Sequence, residues 1–166
     1  ITFDAYLAND RTLADPEVLR VGKATQIRLR IINGSAASNM WIDLGALQGE
    51  LIAVDGNAVF PLKGSVFPLA IAQRADIRVK LPESSGAWPV LFRPEGLGAR
   101  TGIYLATQGA EIAKLPREGE VAPEVNLAQE MKLRSVAVLP SEPVTRTEIL
   151  ALTGGGPDYF WGLNGK

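Results

Sequence analysis

The chain of 166 residues is 46% hydrophobic and 21% charged, the balance of an ordinary folded domain rather than a disordered segment, and its length suits one well-packed domain. Seventeen Lys and Arg against eighteen Asp and Glu leave a net charge of -1, without the basic excess that a nucleic-acid or phosphate-binding surface draws on. His 0 and Cys 0 exclude serine–histidine dyads, thiolate nucleophiles, disulfides, iron–sulfur clusters and imidazole or thiolate sites for copper and zinc.

The predicted elements are nearly all strands. Ile1–Leu7 reads as the first. Gln26 to Ile31 alternates apolar Ile27, Leu29 and Ile31 with Gln26, Arg28 and Arg30, the pattern of a half-buried antiparallel strand. Met40–Leu44, Glu50–Val54 and Val66–Ala72 follow. Asp76 to Leu81 then repeats the alternation with Ile77, Val79 and Leu81 on the apolar side. Trp88–Arg93 and Gly102–Thr107 complete the set. Asn33-Gly34-Ser35, Asp55-Gly56-Asn57, Pro82–Gly86 and Pro94–Gly98 carry turn chemistry between them. Short strands at this spacing predict an all-β Greek-key sandwich or barrel over residues 1–107, with Ile27, Leu29, Ile31, Ile77, Val79 and Leu81 in its core.

The pattern changes after Thr107. Residues 108–142 hold Pro116, Pro123 and a charged patch from Lys114 to Glu120, and read as a linker or a strap over the sandwich. Asn126–Arg134 is its one predicted helix, capped by Asn126 with Gln129 as the capping-box partner. Residues 143–166 read as a hairpin: Val144–Leu152, a loop at Gly154–Asp158, then Tyr159–Leu163. Such a hairpin is marginal alone, so it is expected to dock, or to pair with another copy of the chain and make a homo-oligomer. Three adjacent aromatics cannot share one side of a strand. Leu150, Leu152, Tyr159, Phe160 and Trp161 are therefore the candidate interdomain or oligomer contacts.

The candidates for chemistry are weak. Gly154-Gly155-Gly156 lacks the Lys-Ser/Thr and the helix that a phosphate loop needs. Asp15/Glu17 and Glu118/Glu120 sit in charge-mixed loops and read as solvated surface. Met40 and Met131 have no His or Cys to complete a copper site and read as core or gap-filling residues. Trp41 and Trp88 lie in strand runs and read as core. Catalytic residues and metal ligands are expected to be none. No apolar run is long enough to span a membrane, and no leader peptide is visible. Strand-like sequence at both ends makes the chain read as a piece of something larger.

Four stretches in order, Asp10–Val18 (DRTLADPEV), Arg28–Ser35 (RLRIINGS), Glu50–Val59 (ELIAVDGNAV) and Gln73–Leu81 (QRADIRVKL), resemble the second, cupredoxin-like domain of three-domain multicopper oxidases, the laccase-like enzymes. Gly102–Thr107 (GIYLAT) resembles that domain's closing strand. Leu150–Lys166 resembles the opening hairpin of the third domain. One departure stands out: Ile71-Ala72 occupies the place where the family usually has Pro-Gly. The resemblance implies a cupredoxin-like sandwich with no cofactor of its own, in a periplasmic or secreted parent that carries copper in its other domains. The parent would oxidise phenolic or metal-ion substrates and reduce dioxygen to water. This piece would act as a non-catalytic scaffold whose partners are the parent's other domains. The alternative is a copper-free cupredoxin-like protein of the cell envelope that serves as a protein-binding scaffold.

Overall fold

A computed structural model describes residues 3–156 and 160–166. The strands are β1 (Val18–Arg20), β2 (Gln26–Ile32), β3 (Met40–Asp43), β4 (Gly49–Val54), β5 (Asn57–Gly64), β6 (Val66–Leu69), β7 (Arg74–Lys80), β8 (Ala87–Pro94) and β9 (Thr101–Ala106). They form two sheets, one in the order β1-β9-β8-β3-β6 and one in the order β2-β7-β4-β5. Every pairing in the two sheets is antiparallel except β1 with β9, which is parallel.

The alternation in β2 and β7 does what its chemistry requires. The two strands pair from Gln26↔Lys80 to Ile32↔Arg74. Leu29, Ile77, Val79 and Leu81 are buried, while Ile27 and Ile31 are half-buried against the same core. On the other face Arg28 pairs with Asp76, and Arg78 donates from Nε to Glu50 at 2.9 Å. Ile42, Leu44, Leu51 and Leu105 fill the space between the sheets. Burying side chains of this size contributes about 1.5–3 kcal/mol each.

Turn and contact positions are specific. Asp55 and Gly56 both take positive φ, at 50° and 87°, as a two-residue hairpin turn between β4 and β5 demands. Gly102 is required by contact. A Cβ there would meet the Val90 carbonyl oxygen at 2.4 Å and the Leu91 Cα at 3.1 Å. The turn at Ala70–Gln73 places Ala72 at φ 62°, and the Gln73 N–H donates to the Ala70 carbonyl at 3.1 Å. A left-handed residue there is glycine's place.

Strand β9 is buried along its whole length because a strap covers its outer side. Residues 108–136 run back over the five-stranded sheet. The Tyr104 hydroxyl donates to the Ala113 carbonyl at 2.7 Å. Gly119 N–H donates to the Gly98 carbonyl at 2.8 Å, and Ala122 N–H to the Leu97 carbonyl at 2.9 Å. Trp41 Nε1 donates to the Pro123 carbonyl at 2.8 Å, and Val125 N–H to Glu95 Oε1 at 2.9 Å. The strap then reaches β5, where Phe60 N–H donates to the Arg134 carbonyl at 2.9 Å.

Several sequence expectations need correction. Residues 3–7 form no strand; Ala8 makes only an isolated bridge to Arg11, and Ile1 and Thr2 lie outside the described residues. The helix expected at Asn126–Arg134 is a single 3-10 turn, Glu130–Lys132. Asn126 does accept from the Ala128 N–H at 2.9 Å, but Gln129 donates to the Pro68 carbonyl instead of closing a capping box. Leu127 and Met131 stay exposed, so nothing buries an apolar stripe that would extend the turn. Val144–Ala151 is not strand; pairing begins at β10 (Leu152–Gly155), which meets β11 (Phe160–Leu163) antiparallel. Val66–Ala72 shortens to β6 because its last residues make the turn around Ala72.

Candidate functional site

Among the described residues, the carboxylates and glycines singled out in the sequence are not brought together into a reactive constellation. Asp15 is held by Arg11 at 2.9 Å, Glu17 accepts from Asn9, and Glu118 and Glu120 are exposed on the strap. Of the three glycines, Gly154 and Gly155 pair within the terminal hairpin, so they form no open anion-binding loop. Among the described residues no group of three His, Cys, Asp or Glu is placed to hold a metal ion. Met40 is buried in the core as expected, whereas Met131 is exposed on the strap, contrary to its expected core role. Without imidazole or thiolate anywhere in the sequence, two thioethers in different parts of the fold do not fit a copper centre.

What the chain does present is exposed apolar surface. Leu150, Leu152, Phe160 and Trp161 are 68%, 81%, 74% and 68% exposed. Tyr159, the remaining residue of that set, lies outside the described residues. The register Leu152↔Leu163 and Gly154↔Trp161 puts Leu152, Leu163 and Trp161 on one face of the hairpin, since cross-strand partners share a face. Phe160 lies on the opposite face by alternation. A Cβ on Gly154 would meet the Phe160 carbonyl oxygen, so the glycine lets the two strands approach. Among the described residues, β10 and β11 pair with each other and with no other strand.

The sequence reading missed a cleft of about 760 Å³ between residues 3–10 and β2. Phe3, Leu7, Leu29, Ile31, Leu69 and Phe92 are among its lining residues, with Arg28 and Arg30 also on its wall. Both arginines face Asp76, Arg30 at 3.7 Å. The volume lies in the range of ligand pockets, and Tyr6, Asp10, Ser35 and Thr101 are among the other polar residues on its wall. It was missed because residues 3–7 read as a strand that would have paired and left no gap.

Trp41 also corrects the sequence reading. It is half-buried under the strap through its indole N–H, rather than inside the core, while Trp88 does pack against the core. Tyr104 has a displaced pKa. Burial raises its phenol above the ordinary value of 10.0, and the nearby Arg100 charge partly opposes that rise. Its hydroxyl is an anchor for the strap, not an acid or base in an open site.

Residues 2–113 match the Cu-oxidase family, described as multicopper oxidase. The whole chain aligns with 33% of the length of multicopper oxidase MmcO from Mycobacterium tuberculosis (strain ATCC 25618 / H37Rv), at 26% identity over 168 residues. It therefore spans about a third of that relative. Among solved structures, Fet3p, a multicopper oxidase that functions in iron import, superposes with a TM-score of 0.65 at 13% identity, over 81% of this chain and 27% of its own. A laccase from Botrytis aclada gives 0.62 at 18% identity, over 90% of this chain and 29% of its own. Blue copper oxidase from Nitrosomonas europaea gives 0.57 at 17% identity, over 86% of this chain and 49% of its own. At these identities the structural likenesses establish the fold, a cupredoxin-like sandwich.

Proposed function

This chain belongs to the multicopper oxidase family, and from that premise we propose that it is a non-catalytic scaffold domain, the middle one of three, in a larger copper-dependent oxidase. The parent uses copper; this sandwich contributes rigidity and contact surface. In this reading residues 1–107 are the sandwich, 108–142 the strap and 143–166 the opening hairpin of the next domain. The parent, laccase-like and periplasmic or secreted, couples oxidation of phenolic or metal-ion substrates to reduction of dioxygen to water. Its copper centres draw their ligands from the other domains.

The observation that carries the reading is the contrast between the two ends of the chain. A sandwich closed by its own strap, without a copper donor set, is followed by an apolar hairpin that none of the described strands covers. A site with several metal ligands needs its supporting elements held to fractions of an ångström, and a strapped two-sheet domain suits that task. Leu150, Leu152, Tyr159, Phe160 and Trp161 are the proposed contacts with the neighbouring domain. The test is to replace Phe160 and Trp161 by Ser in the intact parent. The expected result is loss of copper retention and of dioxygen consumption, while the isolated 166-residue chain with the same changes keeps its unfolding midpoint. Full copper occupancy and unchanged oxidase activity in the doubly substituted parent would contradict the assignment.

A further inference from the structure

Six asparagines occur in the chain, and two are followed by glycine: Asn33-Gly34 and Asn164-Gly165. An Asn-Gly peptide can cyclise spontaneously, because glycine leaves the following amide nitrogen unhindered. The fold treats these two pairs in opposite ways.

Asn33 is 5% exposed, and its side chain is fully engaged. Its Nδ2 donates to the Ser38 carbonyl at 2.9 Å and to the Leu69 carbonyl at 3.1 Å. Its Oδ1 accepts from the Ser35 N–H at 3.1 Å and the Ser35 hydroxyl at 2.8 Å. Turning that amide toward its own backbone breaks all four bonds and demands local unfolding. Asn164 is exposed. Its Oδ1 accepts one bond, from the Ala151 N–H at 2.9 Å, and the Gly165 N–H donates none to the backbone of the described residues.

We propose that Asn164 is a site of spontaneous covalent modification, deamidation through a succinimide, and that this modification opens the base of the terminal hairpin. The Gly165 nitrogen attacks Asn164 Cγ. The new N–Cγ bond forms as the Cγ–Nδ2 bond breaks, and the amide leaves as ammonia carrying the Gly165 proton. Water then opens the ring at either carbonyl, giving aspartate or isoaspartate. No oxidant or cofactor is needed. Isoaspartate adds a methylene to the main chain inside the Leu163–Lys166 turn. That turn is closed by the Leu163 N–H donating to Lys166 at 2.9 Å and the Lys166 N–H donating to Leu163 at 3.1 Å. The same residue ties the hairpin to Ala151, because Asn164 N–H donates to the Ala151 carbonyl at 2.8 Å. The conversion therefore acts as a chemical clock on the segment that presents Trp161 and Leu163.

The test is ageing of the 166-residue chain at mildly alkaline pH, followed by peptide mapping that separates aspartate from isoaspartate. In the folded chain Asn164 is expected to convert more than about tenfold faster than Asn33, since the latter reacts only when its region opens. In strong denaturant the two rates should converge. Gly165→Ala should slow conversion at Asn164, and hydrogen exchange at the Ala151 and Leu163 amides should speed up in the aged protein. Equal rates at Asn33 and Asn164 in the folded chain would overturn the proposal. So would an unchanged rate in Gly165→Ala, or unaltered exchange at those amides once isoaspartate has formed.

Discussion

Trp41 on β3 and Pro123 on the strap are 82 residues apart in sequence, and the indole N–H of one donates to the carbonyl of the other at 2.8 Å. This bond fastens the middle of the strap to the five-stranded sheet. Trp41→Phe keeps the aromatic contact but leaves the Pro123 carbonyl without its donor. We expect a loss of about 0.5–1.5 kcal/mol of stability, the net worth of one hydrogen bond, and faster hydrogen exchange at the Gly119 and Ala122 amides. Unchanged exchange at those two amides would show that the strap does not depend on this tie.

Ala72 carries a φ of 62° in the turn where the family usually has Pro-Gly. A left-handed conformation costs a non-glycine residue about 1–2 kcal/mol, and glycine returns about 0.5–1 kcal/mol of that as extra unfolded-state entropy. Ala72→Gly should therefore raise stability by about 0.5–1 kcal/mol, measured as a higher urea midpoint with an unchanged slope. A lower midpoint would mean that the turn does not have this geometry.

Tyr104 gives the chain an alkaline limit. Its folded-state pKa is raised above 10.0 by burial, against a smaller opposing effect of Arg100. The folded state thus holds the phenolic proton more tightly than the unfolded state does. The associated stability is complete below the unfolded value of about 10 and is lost as pH rises through the folded one. Tyr104→Phe should weaken the chain at neutral pH by about 1 kcal/mol through the lost bond to Ala113, and should flatten the decline in stability above pH 10. A decline as steep as in the parent sequence would assign the alkaline limit to another group.

The exposed hairpin makes the isolated chain a candidate for self-association through residues 143–166, since uncovered apolar strands recruit partners. Sedimentation over a wide concentration range should show dimers or larger species at the high end, and Trp161→Ser should reduce them. A strict monomer throughout would remove this segment as an oligomer contact.

Legibility in the sequence followed the physics of pairing. β2 and β7 could be read because each has one wet and one dry face, so Ile77 and Val79 announced themselves against Arg78 and Lys80. β5 was missed because its edge position tolerates Pro61 and exposes Phe60, which blurs alternation. β1 was missed because three residues held by one parallel neighbour leave no period to detect. The prolines of residues 108–142 mark irregular sequence, a linker or a strap. The path of the strap could not be read, because carbonyls such as those of Gly98, Ala113 and Pro123 hold it, and a backbone acceptor has no residue signature. The apolar character of the hairpin could be read from its residues, but the start of pairing at Leu152 rather than Val144 depends on the register set by Gly154 opposite Trp161.

The central claim is that this sandwich supports copper chemistry without holding copper. Metal analysis of the 166-residue chain and of the intact parent, each equilibrated with excess copper and dialysed, tests it most directly. The account predicts no retained copper on the chain and several copper ions per molecule of the parent. One tightly held, stoichiometric copper on the 166-residue chain, or a parent that retains none, would contradict it.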